Sequence, residues 1–192
     1  MFFIRNIIGA FLIVFFIMGV VFAKPEINTD ISKYNEYMGE NAKEEYRTKW
    51  GMNEEIFPQS ITDNMNVSDY KMVYYNPWDA QFLSYLVVDY NKDNYEKEIQ
   101  RLKEYNSTNY IGYYGVTGFS KYRLLAMEAD AYYGFIYALT DGEERIIYVE
   151  LIFCNYFYDL EYNKYININY LPDGFDATLD NSYERRMMQN KW

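Results

Sequence analysis

The stretch from Arg145 to Cys154 constrains this chain more than any other. In an extended backbone Ile147, Val149, Leu151 and Phe153 share one side, while Ile146, Tyr148 and Ile152 share the other, with Glu150 among them. Side chains alternate with a period of two along a strand. A strand apolar on both sides needs cover on both, so this one belongs in the middle of a sheet. Just upstream, Ala131 to Thr140 reads as its hairpin partner. Asp141-Gly142 between them supplies the positive φ angles of a tight turn.

Other elements fit the same sheet. Val67 to Tyr75 and Gln81 to Tyr90 are rich in aromatic and branched residues and flank a turn at Asn76-Pro77-Trp78-Asp79. Lys121 to Asp130 mixes helix formers with aromatic flanks, and the following hairpin favours a strand. The clearest helix begins at Asp93, which forms a capping box with Glu96. Tyr95, Ile99, Leu102 and Tyr105 make its apolar face, and Glu98 pairs with Arg101. Asn181 and Glu184 make a second capping box, opening a short helix through about Gln189. The predicted fold is α+β: an antiparallel sheet of hairpin and meander with one main helix packed on it, preceded by an N-terminal signal or anchor helix.

The N-terminus carries an address. Arg5, an apolar run from Ile7 to Val21 and a small residue at Ala23 give the three-part layout of a secretory signal. Cleavage after Ala23 would release the chain; retention would leave residues 7–23 as a membrane anchor with Arg5 inside. Between Ile31 and Trp50, apolar residues at Tyr34, Met38, Ala42 and Tyr46 fall at helical spacing and predict a stalk helix. The expected organisation is therefore a signal or anchor over 1–23, an exit segment and stalk over 24–56, and one extracytoplasmic domain over 57–192.

Composition removes whole classes of chemistry. The chain has no histidine and one cysteine. Ser-His-Asp and Cys-His catalysis, imidazole bases and ordinary zinc sites are thereby excluded, and no intramolecular disulfide can form. Cys154 lies in an apolar run and reads as a buried, inert thiol. The net charge is −10, and residues 1–23 hold one base and no acid, so the remainder is more acidic still. Such a surface repels phosphate backbones, so no nucleic-acid partner is expected. Tyrosine is abundant, at 24 residues; binding surfaces favour it, but so do AT-rich codons.

What chemistry remains rests on carboxylates and rings. Glu128 and Asp130 are two apart on a strand and share a face, with Glu150 on a neighbouring strand. Two acids at glycosidase separation would serve hydrolysis, although wet strand faces carry acids without any such role. Asp173, Asp176 and Asp180 lie close together and offer calcium oxygen ligands, without the EF-hand spacing; turns and helix capping explain most of them. Gly112, Gly115 and Gly118 match no phosphate-binding pattern. Trp78, Tyr110, Tyr113, Tyr114 and Phe119 stand beside Asn and Asp residues and are the candidate binding residues, for a glycan or a protein, unless they simply close the core. The leading expectation is a non-catalytic binding or interaction module at the cell surface, with no cofactor. The alternatives are a carboxylate enzyme acting on glycans and a membrane-tethered sensor or inhibitor working through a protein partner.

Overall fold

The computed structural model describes residues 24–47, 49–52 and 54–190. The expected signal or anchor over 1–23 lies outside the described residues. The protein is α+β, built on a six-stranded sheet. Its strands are β1 (Glu26–Asn28), β2 (Asn66–Tyr75), β3 (Gln81–Asp89), β4 (Arg123–Asp130), β5 (Gly134–Thr140) and β6 (Arg145–Ile152). Their spatial order is β1-β2-β3-β6-β5-β4, and every neighbouring pair is antiparallel. The helices are α1 (Tyr34–Tyr37), α2 (Glu44–Arg47), α3 (Lys92–Glu104) and α4 (Ser182–Gln189). α3 carries the chain from β3 to the far edge, and the last strand returns to the centre.

Alternation along β6 divides the interior in two. Ile147, Val149, Leu151 and Phe153 join one core, which is roofed by the irregular stretch from Tyr156 to Ala177, by Tyr114, and by Tyr183 of α4. Ile146, Tyr148 and Ile152 join the other, which is roofed by Tyr34, Met38, Tyr46 and Phe57 and by Ile99 and Leu102 of α3. β5 and β6 are buried almost throughout because cover on both faces leaves neither side to water.

The N-terminal segment departs from the sequence expectation. Residues 31–50 form no continuous stalk helix. α1 ends at Met38, whose backbone is extended, and the chain turns at Gly39 with φ +77°. A Cβ at Gly39 would stand 2.8 Å from the carbonyl oxygen of Gln59, so only glycine fits there. Tyr34, Met38, Ala42 and Tyr46 are nevertheless all buried. β1 pairs with β2 through Glu26–Tyr74, so residues 26–28 join the same sheet as the later strands.

Local details differ too. The cap of α3 is Asn91, whose Oδ1 accepts the N–H of Asn94 at 3.0 Å, rather than Asp93. β5 starts only at Gly134, because Asp130 Oδ1 accepts the N–H groups of Tyr132 and Tyr133 and turns residues 131–133 out of the ladder. The hairpin loop spans 141–144, with positive φ at Gly142 and Glu144. At α4, Asn181 Oδ1 accepts from Glu184 N, and Glu184 Oε2 accepts from Asp180 N.

Candidate functional site

The candidate carboxylates have separate duties. Glu128 Oε2 accepts the hydroxyl of Tyr105 at 2.8 Å. Asp130 is occupied with the two N–H groups that end β4. Glu150 is 1% exposed and meets the ammonium of Lys49 at 2.6 Å. The register runs Glu128–Ile136–Glu150, so β5 separates the two glutamates by about 10 Å of backbone. Glu150 is sealed beneath the N-terminal segment, where no substrate reaches it, so the two do not make a glycosidase pair.

Sequence reasoning missed Lys49, which is 1% exposed. Lys49, Trp50 and Gly51 hold φ of 29°, 54° and 80°, a left-handed run that turns the lysine inward. Its ammonium contacts Glu54 and Glu150, lies 3.0 Å from Met38 Sδ, and sits 5.5 Å from the centre of the Phe82 ring. Burial alone would lower its pKa, but Glu150 and Glu54 hold it above the ordinary lysine value. Burial raises the pKa of Glu54, with Lys49 opposing.

The calcium candidates are not brought together. Asp173 Oδ1 accepts from Ser120 Oγ, and Asp176 Oδ1 accepts from Thr178 N and Oγ1. Asp180 takes φ +60° just before the α4 cap. Among the described residues no three acidic, histidine or cysteine side chains converge on a metal position.

Most of the aromatic candidates close the core. Tyr114 is 1% exposed, donates its hydroxyl to Ala131 O, and stands edge-on to Phe153 at 4.9 Å. Phe119 packs between Tyr110 and Tyr137, and Tyr113 leans on Tyr183. Trp78 alone of the five is strongly exposed, at 56%.

Around the Trp78 turn the structure gathers other rings at one end of the sheet. Trp50 Nε1 donates to Ala80 O at 2.8 Å, and its ring stacks on Tyr133 at 5.8 Å. Tyr132 meets both Tyr133 and Tyr156 edge-on. The Tyr132 hydroxyl donates to Asn155 Oδ1 at 2.7 Å, and Asn155 Nδ2 donates to Asp79 Oδ2 at 3.2 Å. Asn155 and Tyr156 also hold positive φ, so backbone strain concentrates at this end. Beneath it lies Cys154, whose thiol is pushed up to about 12 by burial. Residues 50, 78–80, 132–133 and 155 meet only through the sheet topology, and no local motif announces them. A groove of about 520 Å³ lies elsewhere, between Phe57 and Arg101. Arg101 there is already bound to Glu98 and to the carbonyls of Glu55 and Ile56.

No protein-family model, curated protein or solved structure matches the chain.

Proposed function

We propose that this is a non-catalytic binding module working outside the cytoplasm, either released after Ala23 or anchored through residues 7–23. Its ligand docks on the aromatic end of the sheet. The observation that carries the reading is the Trp50–Tyr133 stack, tied through Trp50 Nε1 to Ala80 O two residues after the exposed Trp78, with Asp79 of the same turn bonded to Asn155. Ring faces stack on the C–H faces of sugars while amide and carboxylate groups take hydroxyls. Protein partners use the same anchors. The placement of Glu128, Asp130 and Glu150 gives an enzyme no comparable support.

The test is the melting temperature of residues 24–192 with a panel of cell-wall and host glycans. A ligand at a hundred times its Kd adds about 2.7 kcal/mol, a shift of a few degrees at this size. A shift with one sugar class that Trp78→Ala abolishes supports the glycan reading. A shift that survives both Trp78→Ala and Trp50→Ala refutes the placement of the site. No shift with any glycan rejects the glycan reading and directs the search to a protein partner.

A further inference from the structure

We propose that an amide bond joins Lys49 Nζ to Cδ of Glu150, formed after folding with Glu54 as the proton carrier. Three observations converge. Lys49 and Glu150 are each 1% exposed and in contact at 2.6 Å. Their surroundings are apolar, with Met38, Phe82, Tyr34 and Ile152 in the same core. Apart from Lys49, no donor among the described residues hydrogen-bonds either carboxylate oxygen of Glu150, and Ser84 Oγ, directly across from it in the β3–β6 register, is also unpaired.

An ordinary ion pair explains this arrangement poorly. One ammonium faces two carboxyls, so with both ionised the pocket carries one excess negative charge, eased only by the Gly39 N–H at Glu54 Oε2 and by the partial exposure of Glu54. Buried charges that stay unbalanced are expensive, and a proton retained on Glu54, whose pKa burial raises, removes the excess. The pocket then holds a lysine, a carboxylic acid and a carboxylate already in contact, the components of a condensation. The two carboxyls keep Lys49 charged, so the nucleophilic amine forms only as a proton passes to a carboxyl in contact with it, and proximity replaces a bimolecular encounter.

The step balances without any outside reagent. Glu54 hands its proton to a Glu150 oxygen and takes one from Lys49, and the freed Nζ attacks Cδ of Glu150. The Nζ–Cδ bond forms, one Cδ–O bond breaks, and the oxygen leaves as water. Glu54 first protonates that leaving oxygen and then takes the remaining surplus proton from nitrogen. The ammonium hydrogens and the carboxyl hydrogen end on the amide, in the water and on Glu54. Ser84 is the donor nearest in register to the oxygen that gains charge. The product would staple the N-terminal segment to the central strand. With one cysteine, this chain has no intramolecular disulfide to do so.

Intact mass of the denatured full chain, measured beside Lys49→Met, tests this directly. The expected result is a wild type lighter than its sequence by one water, with a branched peptide joining residues 49 and 150 after proteolysis. The Lys49→Met chain should show the full sequence mass, and Glu54→Gln should remain unlinked. An unmodified wild-type mass from protein shown to be folded overturns the proposal. So does a missing water that maps to any other pair. A Glu54→Gln chain that still cross-links overturns the role given to Glu54.

Discussion

The indole of Trp50 lies parallel to the ring of Tyr133, within 2° in plane and 5.8 Å between centres, while its Nε1 is held by Ala80 O. Trp50 therefore serves both the packing and the surface, and Trp78, at 56% exposed, is the more open of the two. Trp78→Ala should weaken ligand binding by roughly ten- to hundred-fold, in the range of interface hot spots, and change stability by less than about 0.5 kcal/mol. Trp50→Ala should weaken binding similarly and also cost about 1–2 kcal/mol of stability, from the lost ring pair and hydrogen bond. Ligand titration and urea unfolding of both variants check the contrast.

Gly134 opens β5 at φ +104°, and a Cβ there would collide with Leu151 O and the ring of Phe153. Gly134→Ala should destabilise by about 3 kcal/mol or more, through overpacking and a conformation that L residues avoid. Gly142, at φ +89° with nothing within 4 Å of its Cβ position, isolates the backbone effect. Gly142→Ala should cost only about 1 kcal/mol. Equal urea midpoints for the two variants would contradict this close approach of β5 to β6.

Burial raises the pKa of Asp159, while its contact with Gln81 pulls the other way. The folded state thus holds this proton more tightly than the unfolded chain, whose value is near 3.8. Asp159 contributes full stability below that value and loses it as pH rises through the folded pKa. Asp159→Asn should remove this slope. The wild type should lose stability relative to the variant as pH climbs from about 3.8 into the neutral range. Urea midpoints of the pair across that range provide the readout, and a relative gain by the wild type would reverse the sign argued here.

Cys154 is buried, and its thiol is pushed up to about 12 by burial and by Asp79. Thiolate is the reactive form. Iodoacetamide at mildly alkaline pH should leave the native protein unlabelled and modify it once denatured. Labelling of the folded protein at the denatured rate would show an open site.

The sheet was legible where pattern and burial coincide. β6 alternates two apolar sets, and the structure places them in two cores. Ile99 and Leu102 were readable because a regular helix presents them on one face. The N-terminal segment misled for a physical reason. Tyr34, Met38, Ala42 and Tyr46 are spaced as on a helix and are buried, yet turns at Gly39 and at 49–51 break the run. Periodicity records which residues face inward but not how often the chain changes direction between them. Lys49 left no signal, since a lysine beside a tryptophan looks like surface until Glu54 and the distant Glu150 are placed against it. The aromatic end was half legible: Trp78 marked its turn, but Trp50, Tyr133 and Asn155 reach it only through strand order.

That strand order also sets a timetable. β6 is the last strand in the sequence, yet it fills the gap between β3 and β5. Until residue 152 is available, the chain holds a β1-β2-β3 unit and a β4-β5 hairpin, each with one apolar edge waiting for a neighbour. Pairings between segments so far apart in sequence form slowly, and open edges recruit other chains. A nascent chain of this protein is therefore most prone to aggregate just before its synthesis reaches Arg145, and a truncation that removes β6 should leave two half-sheets that associate with copies of themselves.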